Sequence, residues 1–261
     1  DVDNHAAVVL GRGTKVTATD EVTVAASSKK QLVTLAGAPA WQAGADIAIG
    51  GNLGITVGDT TADTIVAEGT EITGRKAAIK ATNSYDGIHL AVAAGKGGKI
   101  GFQGMANYVG GTSGAVTSVD DEAKITAATA AQMNALNTTN ITNIAGSAVL
   151  GTGAAIGLSA ALNNVAQTSI AAIADNDAAG ETQGDKTAEQ RTEKQIRAAQ
   201  KRAVQPFGDV NAADLYGTAA KKMTGVVQAE TLDVHAEQKG LINAAAAAGA
   251  IATGDDTSEK G

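Results

Sequence analysis

Apolar and polar residues alternate along short stretches of this chain, and the stretches come back. In "VTVAASSKK" (22–30), Val22, Val24 and Ala26 fall on one side of an extended chain while Thr23 and Ala25 fall on the other. Related stretches follow as "AAIKATNSY", "AQMNALNTT" and "LDVHAEQKG", each opening with apolar or small residues and running into polar ones. A second alternating element, with Ile47, Ile49, Gly51 and Leu53 on one side, occurs as "GADIAIGGNLGI", "GGKIGFQGMANY" and "GAAIGLSAALNN". β-Branched residues at period two, bounded by Gly, Asn, Asp or Thr, predict short strands. Helix signals are absent from these repeats.

The elements recur in fixed order. Taking Val16, Ile72, Ile125 and Val226 as equivalent anchors gives spacings of 56, 53 and 101 residues. In the second element Ile47, Ile100 and Ile156 correspond, as do Ile49, Phe102 and Leu158, then Gly51, Gly104 and Ala160. Between the two elements lies a segment that starts with Leu32, Ile88, Ile141 or Leu241. A unit of ~55 residues present about four times predicts stacked copies of one motif, since a sandwich has no need of near-identical strands at a fixed period. The expected fold is all-β, a parallel β-helix with about two coils of ~25 residues per unit. Like residues then stack at the ~4.8 Å strand spacing. Val24, Ile79, Met133 and Val234 are expected to face inward at equivalent positions, with Lys80 outward.

Residues 175–222 fit no repeat element and explain the doubled last spacing. Their middle is polar and helical in propensity: Thr187 and Gln190 form a capping box, Glu193 precedes Arg197 by four, and Pro206 stops the run. Six of the 20 basic residues lie between Asp185 and Arg202, against three acids. A solvated excursion at a turn is the preferred reading, over a basic partner-binding helix. The expected organisation is β-solenoid repeats over 1–174, a charged helical insertion over 175–222, and a continuation of the solenoid over 223–261, truncated at its C-terminus. The chain is read as a piece of a longer protein.

Composition fits a narrow core. Aromatics are 2 %, glycines number 32, and Ala, Val and Ile supply most of the apolar surface. A net charge of −7 disfavours nucleic acid and anionic membranes as partners, and no run is long enough to span a bilayer. There are no cysteines, which excludes disulfides and thiolate metal sites and suits a large exported protein.

Candidate chemistry is mostly refused. His5, His89 and His235 have no recurring acidic neighbours, and His89 and His235 are read as solvent-facing strand residues. "GKGGKIG" (95–101) and "GTGAAIG" (151–157) lack the Gly-Lys-Ser/Thr ending of a phosphate loop and are read as turns. "DNDAAGE" resembles the start of a calcium loop through Asp175, Asp177 and Gly180, but Ala179 and Lys186 stand where an EF-hand needs ligands. Asn137 and Asn140 head glycosylation sequons. Trp41, Tyr85, Tyr108 and Tyr216 are too scattered for a sugar-stacking platform. No catalytic, cofactor-binding or metal-binding residue is expected, and the chain is not read as an enzyme.

"GTKVTATDEVTVAASS", "GAAIGLSAALNNVAQTSIAAI" and "AETLDVHAEQKGLINAAAAAGAIA" resemble the repeats of large bacterial filamentous adhesins, of the filamentous-haemagglutinin type and the related leukotoxin-family type. The likeness covers about residues 5–174 and 222–252. It implies a long right-handed β-solenoid, secreted by a type V route and displayed at the cell surface in a structural and adhesive role. Expected partners are neighbouring repeats of the same long chain, a host or bacterial surface protein or glycan, or a second rod alongside. Two alternatives stay open: the stick of a contact-dependent toxin exoprotein, and a polysaccharide-processing β-helix enzyme.

Overall fold

The structure, a computed structural model, describes residues 2–41, 46–67, 69–120, 123–173 and 226–254. Nearly all of these lie in strands, and none is helical. In chain order the strands are β1 (Asn4–Leu10), β2 (Lys15–Thr17), β3 (Glu21–Trp41), β4 (Ile47–Val57), β5 (Thr60–Val66), β6 (Glu71–Lys96), β7 (Ile100–Val119), β8 (Lys124–Gly151), β9 (Ala154–Ile173), β10 (Val226–Gln228) and β11 (Thr231–Ala252).

All pairing is parallel and builds two sheets. In sheet A, β4 and β5 lie end to end along one side of β7, β9 lies along the other, and β1 flanks β5. In sheet B, β2 and β3 lie end to end along β6, β8 follows, and β10 with β11 lies beyond it. The chain thus visits the two sheets alternately. It returns beside itself at intervals of 53 to 56 residues, with Asn4 on Thr60, Thr60 on Ser113, Glu71 on Lys124 and Ile100 on Ala154.

This corrects the expected coil length: the whole unit separates neighbouring rows, not half of it. The strands are long, 26 residues in β6 and 28 in β8, because polar side chains carry the inward pattern on where the apolar ones stop.

The space between the sheets is filled in columns, each made of one position from successive rows. Val16, Ile72, Ile125 and Val227 form one, and Val24, Ile79, Met133 and Val234 another. With Val66 and Val119 of sheet A, the buried members of these columns form the largest apolar cluster. Next comes a waist of Ala26, Ala81 and Ala135 against Ala62 and Ala115, with Val8 and Ala171 packed against it. Beyond the waist the interior turns polar.

Several expected alignments shift. Val227, not Val226, stacks on Ile125. Phe102 stacks on Ile156, two residues from the expected Leu158. The column begun by Leu32 continues through Gly87, Ile141 and Ile242, so Ile88 and Leu241 point the other way. Gly87 is needed there, because a Cβ would come within 2.6 Å of His89 Nε2 and 3.2 Å of the Tyr85 ring. Val234 holds its expected register but is 43 % exposed, because β11 is the last row of sheet B among the described residues.

The expected helical insertion lies outside the described residues, but its flanks bear on the repeat. The offset from Lys124 to Val226 is 102 residues, and less the 48 residues of 175–222 it is 54, the ordinary period. Passage from sheet A to sheet B elsewhere takes four residues: 11–14, 67–70 and 120–123. Removing 175–222 leaves four between Ile173 and Val226 as well (Ala174, Met223, Thr224 and Gly225). A variant joining Ala174 to Met223 is therefore expected to keep its β-sheet circular dichroism signal and a cooperative melt, since loop length adds only about 0.6 kcal/mol per doubling. Loss of the β signal on deletion would show that the segment belongs to the folding unit.

Candidate functional site

Inward-facing polar residues form a connected network past the alanine waist. In successive rows Ser28, Asn83 and Asn137 stack on sheet B, facing Thr60 and Ser113 of sheet A. Thr60 Oγ1 donates to Asn83 Oδ1 (2.8 Å), and Asn83 Nδ2 donates to Ser113 Oγ and Asn137 Oδ1 (both 2.9 Å). Asn137 Nδ2 donates to the Ser113 carbonyl (2.9 Å), and Thr139 Oγ1 lies 2.7 Å from Ser113 Oγ. Further along, Asn107 Nδ2 donates to Asn143 Oδ1 (2.7 Å) and Asn143 Nδ2 to Asn163 Oδ1 (2.9 Å). Such groups are tolerated only because each finds a partner.

His89, in register with Asn143, is fully buried, not solvent-facing as expected. Its Nδ1 lies 2.8 Å from Thr34 Oγ1 and its Nε2 3.2 Å from the Tyr85 hydroxyl. The same pocket holds Lys30, whose ammonium donates to the Val2 carbonyl and sits 4.8 Å from the centre of the Tyr85 ring. Burial pushes the Tyr85 hydroxyl up to about 12. Burial lowers Lys30 against the opposing pull of Asp3 and Asp59, and burial with the nearby Lys30 charge lowers His89.

A base lowered in the fold binds its proton more readily when unfolded, so stability is lost as pH falls through the ordinary histidine value of 6.5. The wild-type melting temperature is expected to drop between pH 7.5 and 5.5, and the drop is expected to shrink in His89→Gln. Identical pH slopes for the two proteins would contradict this.

The remaining candidates do not converge. His5 is exposed on β1, 2.8 Å from Thr61 Oγ1, and His235 is exposed on β11 near Glu237. Tyr85 points inward, whereas Tyr108 is half-buried on the outer side of sheet A. The Trp41 side chain, Tyr216 and the calcium-loop residues Asp175, Asp177 and Gly180 lie outside the described residues. The two glycine-rich stretches hold the turns from β6 to β7 and from β8 to β9. Their backbones bond to each other, with Thr152 N donating to Gly98 O and Gly153 N to Lys99 O, both at 2.8 Å. Of the sequons, Asn137 is buried, while Asn140 is exposed and donates to Asp86 Oδ1 (2.9 Å). Among the described residues no group of three or more His, Asp or Glu side chains is placed to hold a metal.

What reading the sequence missed is a surface. The outer positions of β4, β7 and β9 carry Ile47, Ile49, Leu53, Ile55, Ile156 and Leu162, all exposed. These three strands contain no Asp, Glu, Lys or Arg. Sheet B is mixed on its outer side: Lys15, Glu71 and Lys124 stack with alternating charge, Lys15 Nζ lying 2.9 Å from Glu71 Oε2, while further along Val33, Leu35, Ile88 and Val92 are exposed. The signal was present in the sequence, as three aligned uncharged segments in a chain that is 18 % charged.

No protein-family model, no curated protein and no solved structure matches this chain.

Proposed function

We propose that the chain is a section of a right-handed parallel β-solenoid, a stiff rod within a secreted bacterial filamentous protein that displays contact surfaces at the cell surface. The observation that carries this reading is the parallel pairing of each row with the row one period of ~54 residues away. A stack of that kind grows by adding rows along one axis, so its length is set by repeat number. Right-handedness follows the general preference of crossovers between parallel strands. The likeness of the repeats to filamentous adhesins supports the surface role, and the cysteine-free sequence is compatible with export. On this reading the mechanism is geometric: backbone ladders and interior columns give stiffness, and the outward positions give contact surfaces. Labelling of intact cells of the source organism with an antibody to this segment, and weakened attachment on its in-frame removal, are the expected results. Labelling only after lysis would overturn the proposal.

A further inference from the structure

Parallel sheets are found almost only with both faces covered. Sheet A meets that condition in one half and not in the other. In β5, Thr60, Ala62, Thr64 and Val66 point to sheet B: Thr60 donates to Asn83, Thr64 donates to the Lys80 carbonyl, and Ala62 and Val66 pack in the core. Thr61, Asp63 and Ile65 therefore point outward, as do Val116 and Ser118 beside them on β7. All five are only 0 to 3 % exposed, whereas Ile49, outward on β4 of the same sheet, is 70 % exposed. Among the described residues β5 meets β1 and β7 at its sides and β3 and β6 across the core, which leaves its outer side to another part of the chain. These exposures are those of one chain by itself, so the cover is not a partner protein.

From this burial we infer that segment 175–222 is docked on the outer face of β5 and of the Ser113–Val119 half of β7. Length, position and charge all select it. Apart from its own flanks, the stretches outside the described residues are 1, 42–45, 68, 121–122 and 255–261, of at most seven residues each. Residues 68 and 121–122 belong to the four-residue passages into sheet B, and 42–45 and 255–261 follow the ends of β3 and β11, beside the starts of β4 and β9 at the far end of the rows. Segment 175–222 starts where it is needed: Ile173 ends β9 in register with Val119, so the chain leaves sheet A at the end of the covered half. Charge agrees. Asp63 puts a carboxylate on this buried face, where a compensating cation is needed, and the segment carries six basic residues against three acids between Asp185 and Arg202. A solvated excursion, the reading the sequence favours, would leave all five outward side chains open to water.

The inference goes beyond the rod reading and does not rest on it. The chain has no cysteine, so a single introduced thiol reports on one position. In the full chain, Ser118→Cys is expected to react with N-ethylmaleimide at least ~100-fold more slowly than Ser27→Cys, which lies exposed on the outer side of sheet B. In the variant joining Ala174 to Met223 the face is uncovered, and Ser118→Cys is expected to react within about tenfold of Ser27→Cys. Val119→Cys, whose side chain faces the core, is expected to stay slow in both backgrounds and so to show that the rows are intact.

Ser118→Cys reacting as fast as Ser27→Cys in the full chain would overturn the inference and restore the solvated excursion. So would a Ser118→Cys that stays slow after the deletion while Val119→Cys stays slow too, since the cover would then lie elsewhere. If the deletion makes Val119→Cys fast as well, the rows have opened, and the decision passes to a full-length variant. In it Lys186, Arg191, Lys194, Arg197, Lys201 and Arg202 are each changed to Gln, which keeps the segment and removes its positive charge. There Ser118→Cys is expected to react at least about tenfold faster than in the unaltered chain, with Val119→Cys unchanged. No selective acceleration of Ser118→Cys in that variant would overturn the inference.

Discussion

Replacing Ile79 with Asp is expected to cost several kcal/mol, a large part of the stability of an ordinary domain. Ile79 is 1 % exposed and sits in the middle of its column, between Val24 and Met133, in one cluster with Ile72, Val66, Val119 and Ile125. Two losses combine. The buried apolar side chain forfeits its transfer free energy and packing. The carboxylate also enters a space whose nearest neighbours are hydrocarbon, with no donor placed to receive it. It must either stay charged without a partner or take up a proton at a pH where it normally would not. Lys80, one residue on, points to the other face of the sheet, and Lys80→Asp is expected to cost no more than about 1 kcal/mol. Denaturant unfolding of both variants checks the pair. Equal midpoints would show that the strand faces are assigned wrongly.

That column was legible in the sequence because its members are apolar in every copy, and a period-two pattern is read from apolar residues. The same method failed one element further on. There Leu32 and Ile141 face inward, but the inward residue between them is Gly87, with the Tyr85 ring filling the space. The apolar neighbour Ile88 faces out, as do Val33 and Leu35. Matching by hydrophobicity therefore picked Ile88, and a slip of one residue in a strand reverses every face after it. His89 was misread for the same reason, since a titratable side chain in a strand ordinarily points to water. The deeper cause is that past the alanine waist this fold carries its polar groups inside and many of its aliphatic groups outside. A rule that assigns apolar residues to the interior cannot recover that arrangement from one sequence.

Coil length escaped for a related reason. The apolar alternation in each copy lasts only a few residues, which suggests short strands and therefore short coils. In the structure β6 and β8 continue through "TNSYDG" and "LNTTNI", where Asn83, Asn137 and Thr139 keep the alternation going with hydrogen bonds across the core and Tyr85 with its buried ring. The repeat period itself was readable, because it depends only on like residues recurring in order. What each period builds depended on recognising that buried polar groups can extend a strand as well as apolar ones, provided they are satisfied.

Removing one member of the polar network gives the second large effect. Asn137→Ala is expected to destabilise the chain by about 2–4 kcal/mol, more than a single exposed hydrogen bond contributes. Asn137 is 1 % exposed and takes part in three bonds. Its Oδ1 accepts from Asn83 Nδ2 (2.9 Å) and from Ser113 Oγ (2.8 Å), and its Nδ2 donates to the Ser113 carbonyl (2.9 Å). After truncation the Ser113 hydroxyl loses that acceptor in a space closed to bulk water, and Asn83 Nδ2 keeps only its bond to Ser113 Oγ, while Asn83 Oδ1 still accepts from Thr60. The cost comes from the stranded partners as much as from the lost bonds. Asn83→Ala made alone is expected to cost a similar amount. The double variant is then expected to cost clearly less than the two singles added, since each single strands a group that the double removes. Asn140→Ala makes the contrast: that side chain is exposed, its bond to Asp86 lies on the outer face, and the expected change stays within about 0.5 kcal/mol. Chemical denaturation of the four proteins measures all of this. Strict additivity at Asn83 and Asn137 would mean that the two side chains do not share a network, and that the interior polar columns are not what fixes the rows in register.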